Sequence, residues 1–144
     1  MTTQMHTTNC FNTFIRVAED CLARTGEEPP LRAGKPTVAC LQYLMIARAP
    51  YKYTSDDVIF ATSAPGRELA VKATKTEKHA AREAFFSRGQ ACMRASSLGK
   101  RFGWGVHADS EGRIAIYAID SKRYQELVRD PKLTQVRAMR SKRA

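Results

Sequence analysis

The sequence predicts an α+β fold in one domain spanning residues 1–144, with a mostly antiparallel sheet of five to six strands packed by two to three helices. Three observations carry that expectation. Residues 102–108 and 113–120 are β-rich runs joined by Asp109, Ser110, Glu111 and Gly112, a loop length that makes a hairpin. Residues 36–49 and 76–88 instead place apolar side chains at helical spacing. The chain has 144 residues and is 43% hydrophobic, enough for one core and too short for two comfortable ones.

Taken in order, the polar leader 1–9 is expected to fray. Residues 12–18 alternate as a strand, with Phe14 on one face and Ile15 and Val17 on the other. Residues 20–35, rich in Gly, Pro and charge, read as a surface loop. Pro36 and Thr37 suit a helix start, and Val38, Leu41 and Met45 mark the face expected to meet the sheet. Pro50 stops that helix. Residues 58–63 are β-branched and aromatic, which predicts a strand although Thr54 could open a helix. Pro65 and Gly66 fit the centre of a type II turn, with a return strand through Leu69, Val71 and Ala73.

Thr76 then caps a helix over 76–88 whose small face, Ala80, Ala81 and Ala84, would lie close on the sheet. Residues 90–96 alternate, so Cys92, Arg94 and Ser96 share a predicted sheet face. In the hairpin, pairing Ala108 with Arg113 sets Trp104 opposite Tyr117, and the doubly apolar second strand reads as central. Ser121 caps a short helix with Tyr124, Leu127 and Val128 inward, ended by Asp130 and Pro131. Residues 135–139 complete the sheet as an edge strand before the basic tail, residues 136–144.

Twenty-four Lys and Arg against 14 Asp and Glu give a formal charge of +10. That excess favours an acidic partner. It concentrates in two places. Residues 88–108 hold Arg88, Arg94, Lys100 and Arg101 with no acid, and residues 131–144 hold Lys132, Arg137, Arg140, Lys142 and Arg143 with none. Four cysteines without a CxxC pair, and an N-terminus without signal-peptide pattern, point to a reduced, cytoplasmic protein. No apolar run reaches the roughly 18 residues that cross a bilayer. His6, His79 and His107 offer no metal-ligand spacing with the cysteines, and neither metal nor cofactor is expected.

The motifs NTFIRVAEDC, KPTVACLQY, PYKYTSDDVIF, FFSRGQACMRAS, GKRFGWGVH, IAIY and AMRSKRA resemble a family of small uncharacterised bacterial proteins known only as a domain of unknown function. They cover most of the chain outside residues 61–75. The resemblance implies no activity, substrate or catalytic residue.

Function therefore rests on side-chain chemistry. Arg94, Ser96, Ser97, Lys100 and Arg101 could hold a phosphate or carboxylate, Arg supplying a bidentate fork and Ser hydroxyl donors. The plain alternative is a sheet arginine paired with Asp57 or Glu83 beside a solvated turn. Trp104, between Gly103 and Gly105, could stack a ring, or simply pack across the strands. Arg140, Lys142 and Arg143 could neutralise nucleic-acid phosphates, or only keep the tail soluble. The leading expectation is a non-catalytic binding domain for an anionic small molecule or nucleic acid.

A second class is an enzyme with Cys92 as nucleophile and His107 as base, weighed against a small apolar cysteine and a structural histidine. A third is a homo-oligomeric or partner-binding module using Tyr51, Tyr53 and an open sheet edge. No nucleotide-binding loop, helix-turn-helix or RNA-binding aromatic motif is present.

Overall fold

A computed structural model describes residues 6–69 and 71–141. It shows an α+β fold in which one mixed sheet of four strands carries helices on both faces. The strands are β1 (Thr13–Arg16), β2 (Trp104–Ala108), β3 (Ile114–Ala118) and β4 (Thr134–Arg137), in the order β3-β2-β1-β4. The helices are α1 (Val38–Arg48), α2 (Ser55–Thr62), α3 (Ala64–Glu68), α4 (Lys75–Phe86), α5 (Ser97–Lys100) and α6 (Lys122–Val128), with a 3-10 turn at Met93–Ala95. The predicted five to six antiparallel strands are thus four, and β4 runs parallel to β1. The reason is α6, which carries the chain from edge strand β3 across one face to the opposite edge.

Alternation assigns the two faces. Ile15, Val106, Ala108 and Ile114 join Ile46, Val58, Met93 and Leu98 in a core beneath α1, α2 and α5. On the other face Phe14 packs with Tyr124 and Leu127 of α6. Phe14 and Tyr124 meet edge-on at 5.0 Å. Gly105 leaves room for them, since a Cβ there would stand 2.5 Å from Phe14 and 2.6 Å from Tyr124.

Several expectations are overturned by capping chemistry. Residues 58–63 are helical, not a strand: Thr54 Oγ accepts from Asp57 N at 3.2 Å while Asp57 Oδ2 accepts from Thr54 N at 3.0 Å. That capping box starts α2 and overrides the β-propensity of Val58, Ile59 and Phe60. Pro65 and Gly66 open α3, with Ser63 Oγ accepting from Gly66 N at 3.2 Å and proline in the first turn. Among the described residues no return strand follows, and Val71 is fully exposed. A second capping box, Thr74 with Glu77, starts α4 two residues before the expected cap. Apart from Phe86, α4 lies away from the core, with Ala80 and Ala84 exposed. Residues 90–96 form an irregular segment and the 3-10 turn, so no sheet face joins Cys92, Arg94 and Ser96.

Helix α1 begins at its expected Thr37 cap but buries Ala39, Cys40, Gln42 and Ile46, and Val38 is exposed. Two contacts set that rotation. Cys40 Sγ lies 3.2 Å from both the Pro29 and Pro30 carbonyl oxygens, and Gln42 Oε1 accepts from Ser96 Oγ at 2.6 Å.

The hairpin register is one residue from expectation, with Trp104 opposite Ala118 and Ala108 opposite Ile114. Asp109 and Gly112 close a turn (Gly112 N to Asp109 O, 3.1 Å), and Gly112 at φ +80 inserts the extra residue of a bulge. Strand β3 is an edge strand rather than central. Its outer side is met by residues 51–53: Tyr51 N donates to Ile114 O at 2.9 Å, and Ile114 N to Tyr53 O at 2.8 Å. Tyr51 holds this position at φ +59, a strained conformation for a bulky residue.

Candidate functional site: a cavity beneath the N-terminal strap

Of the leader 1–9, residues 1–5 lie outside the described residues, and residues 6–9 continue with Cys10 as one extended segment. They form a strap across the edge of the larger core, fastened at one end by His6 N donating to Phe86 O at 3.0 Å. Its main anchor is the carboxylate of Asp56 in the first turn of α2. Asp56 Oδ1 accepts from Thr8 N and from Thr8 Oγ, both at 2.6 Å, and Oδ2 accepts from Thr7 Oγ at 2.7 Å. Asp56 N in turn donates to Asn9 Oδ1 at 2.9 Å. The Thr8 hydroxyl gives its one proton to Asp56, so Ser55 Oγ, 2.9 Å away, donates to Thr8 Oγ. Thr8, Ser55 and Asp56 are all buried, and their polar atoms are satisfied by one another.

Beneath the strap lies a cavity of about 320 Å³. Strands supply Ile15, Val106, Ile114 and Val136 as its apolar walls, and the irregular segment before α5 supplies Cys92, Met93 and Arg94. The strap closes it with Thr7, Thr8, Asn9 and Cys10. Thr7 and Thr8 direct their hydroxyls to Asp56, and Thr13 Oγ donates to Phe11 O at 2.8 Å. The interior therefore meets a guest mainly through carbon and sulfur.

Arg94 is the cation of this cavity. Its Nε donates to Arg137 O at 2.7 Å, and its own carbonyl accepts from Met139 N at 2.8 Å, which ties the residue to the end of β4. Among the described residues no carboxylate pairs with its terminal amino groups. The expected acid partners are committed elsewhere: Asp57 pairs with Arg82 at 2.7 Å, and Glu83 with His79 at 2.6 Å.

The other residues of the predicted anion cluster separate. Ser96 is buried, donates to Gln42 and caps α5 by accepting from Leu98 N at 3.2 Å. Ser97 and Arg101 line a different, open cleft of about 790 Å³, with Arg32 and the first turn of α1. Lys100 is not in its wall. Trp104 packs on Tyr43 at 5.5 Å, and its Nε1 donates to Glu27 O at 2.8 Å. It meets neither the Arg94 cavity nor this cleft. Arg140 Nη2 pairs with Glu19 Oε2 at 2.9 Å. Lys142 and Arg143 lie outside the described residues.

The structure does not bring Cys92 and His107 together. Cys92 faces the cavity beside Val106, whereas His107 is the next residue along β2 and points to the opposite face. There His107 Nδ1 lies 2.7 Å from Tyr51 Oη, and Tyr51 Oη lies 2.8 Å from Tyr117 Oη. Burial and the nearby positive charge of Arg123 hold His107 below the usual histidine range, so the ring is neutral at pH 7. Burial and the bond to Tyr117 push the Tyr51 hydroxyl well above the usual tyrosine range. The neutral ring has one protonated and one bare nitrogen, so the His107–Tyr51 bond runs from Tyr51 Oη to Nδ1 in the Nε2–H tautomer and from Nδ1 to Tyr51 Oη in the Nδ1–H tautomer.

Among the described residues no three His, Cys, Asp or Glu side chains are grouped to hold a metal ion, and no helix is long and apolar enough to cross a membrane.

A single family description spans the residues from the strap to β4 and beyond. The chain belongs to the DUF6157 family. DUF6157 is described as a family of unknown function, and its match extends over residues 5–144. No curated protein and no solved structure matches the chain. For this DUF6157 member, Asp56, Cys10 and Tyr117 are the site residues that sequence reasoning missed. Only the Thr54-x-x-Asp57 capping signature, which places Asp56 in a first helical turn, offered a signal for any of them.

Proposed function

We propose that the protein is a non-catalytic binding domain for a small anion with an apolar body, seated beneath the strap with its charged group on Arg94. One observation supports this most directly: Arg94, an exposed residue anchored through Nε and with its terminal amino groups unpaired by carboxylates among the described residues, lines the rim of an apolar cavity. A volume of about 320 Å³ lies at the lower end of small-molecule sites, and apolar walls with one oriented charge suit a short aliphatic or aromatic carboxylate. Four free thiols fit a cytoplasmic setting for it.

The test is calorimetry and thermal shift with butyrate, octanoate, benzoate and inorganic phosphate, on the parent and on Arg94→Gln. Octanoate or benzoate should bind, and the substitution should weaken binding about 10- to 100-fold, the equivalent of one charge-assisted hydrogen bond. Equal affinity of parent and variant for every carboxylate would sink the reading.

A second reading, nucleic-acid binding, is favoured by the open cleft where Arg32 and Arg101 flank an α1 first turn that contains no acid. Single-stranded and duplex nucleic acid titrated across a salt series should then bind more weakly to Arg32→Ala/Arg101→Ala, with a shallower salt slope. An unchanged slope counts against it.

A further inference from the structure

We infer that Cys10 and Cys92 are a redox-active dithiol, which a low-molecular-weight disulfide converts to an intramolecular disulfide across the cavity. The two residues are far apart in sequence and come to one cavity because the strap crosses the core. Cys10 ends the strap just before β1, and Cys92 stands immediately before the 3-10 turn. Both residues line the same cavity and both are half-buried. Each belongs to a stretch with neither helix nor strand, so their sulfurs can close on one another without breaking a ladder of hydrogen bonds. Their proximity has an electrostatic sign as well. Burial raises the Cys10 thiol above its ordinary range, and negative charge on Cys92 raises it further.

The remaining thiols are placed differently. Cys40 is buried with its sulfur on the Pro29 and Pro30 carbonyls, and Cys21 packs against both core clusters. Cys92 has a second outlet: it also lines a groove of about 440 Å³ with Gln42, Arg67 and Gln90. A reagent can reach it there without displacing the strap.

The exchange proceeds in two displacements. The Cys92 thiolate attacks one sulfur of the added disulfide RSSR, forms the mixed disulfide and releases RS⁻. The Cys10 thiolate then attacks the Cys92 sulfur and releases the second RS⁻. Both protein thiols are oxidised, RSSR is reduced by two electrons, and the protons given up by Cys10 and Cys92 balance the two thiolates released. Cys10 ionises with more difficulty because of its burial, which suits it to the second, resolving step.

The bond pins the strap to the segment before α5 and occupies the space between its two sulfurs, so the oxidised protein should exclude the anion. That consequence rests on the binding reading above, whereas formation of the disulfide does not.

The experiment equilibrates the full chain with reduced and oxidised glutathione, traps it with acid and alkylating reagent, and maps the cysteines by mass spectrometry, folded and in urea. The Cys10 to Cys92 cross-link should dominate in the folded protein, with an effective concentration at least ~10-fold higher than in urea. Cys10→Ser should leave Cys92 held as a stable glutathione adduct. Adducts on Cys10 or Cys92 that persist in the parent without cross-linking, or a cross-link no more favoured folded than in urea, would overturn the inference. Octanoate binding is measured beside it on reduced and oxidised protein. Failure of the reduced form to bind removes the anion reading and leaves the cross-link result to stand by itself.

Discussion

Replacing Asp56 by alanine tests the arrangement at its anchor. The substitution removes three hydrogen bonds made to one buried carboxylate, from Thr8 N, Thr8 Oγ and Thr7 Oγ. At about 1.5–3 kcal/mol for a bond to a charged group, simple addition gives roughly 4–9 kcal/mol. The true cost is smaller, for reasons visible in the partners. Thr7 is exposed and recovers a water, and the Thr8 hydroxyl keeps Ser55. The buried Thr8 N–H is stranded, at about 1–3 kcal/mol, and one proton of the Thr8–Ser55 hydroxyl pair loses its acceptor. The strap also lies outside the sheet, so it can peel away while the strands stay paired, which caps the loss at its own docking energy. We therefore expect Asp56→Ala to lower stability in urea by about 2–4 kcal/mol. Asp56→Asn should cost about half as much, since its carbonyl can serve both Thr8 donors and its amide can donate to the Thr7 hydroxyl. Amide exchange at Thr8 should accelerate in the order parent, Asn, Ala. If Asp56→Ala loses less than about 0.5 kcal/mol and Thr8 stays protected, the carboxylate does not hold the strap.

Two further outcomes follow from the opposite face of the sheet. His107 titrates below its ordinary value of 6.5 in the folded state, so the unfolded chain takes up the proton first; its contribution to stability is complete above pH 6.5 and is lost as the pH falls from there through the folded value. NMR titration of the ring should show that low midpoint, and Arg123→Gln should raise it by removing the positive charge that disfavours the protonated ring; a parent midpoint at or above 6.5 contradicts this. Gly105→Ala drives a methyl into Phe14 and Tyr124 and should cost about 1–3 kcal/mol. Adding Phe14→Leu should restore part of the loss, and a neutral Gly105→Ala would mean the ring pair yields freely.

What could be read from the sequence was local chemistry. The hairpin, the Thr37 cap of α1 and the Ser121 cap of α6 each depend on residues within one turn of one another, and each is present in the structure. Where two local signals compete, the stronger physical effect sets the structure. Val58, Ile59 and Phe60 favour a strand by packing preference, but the Thr54 and Asp57 box satisfies two free backbone donors and so fixes the start of α2. Pro65 has the same φ in a type II turn and in a first helical turn, and it was Ser63 that decided between them. The hairpin slipped by one residue because the bulge at Gly112 is one residue long, and with period two that shift moved Tyr117 and Ala115 from the face of Trp104 to the face of His107. Arg94 was legible as a cation without a nearby acid in the chain. Its cavity was not, because the walls come from β1, β3, β4 and the strap, segments that carry no signal of their mutual distance.

The strap draws these features into one mechanism. Thr7 and Thr8 hold it to α2, and the residues that follow place Asn9 and Cys10 at the cavity, so the proposed ligand access and the inferred thiol pairing both depend on the anchoring of these four consecutive residues. Their effects must be linked. Any change that frees the strap lowers the effective concentration of Cys10 at Cys92, and any bond between those sulfurs reduces the freedom gained when Asp56 is lost. In Asp56→Ala the Cys10 to Cys92 cross-link should thus form less readily. Once formed, it should restore most of the lost stability, because the covalent tie replaces the carboxylate as the strap's anchor.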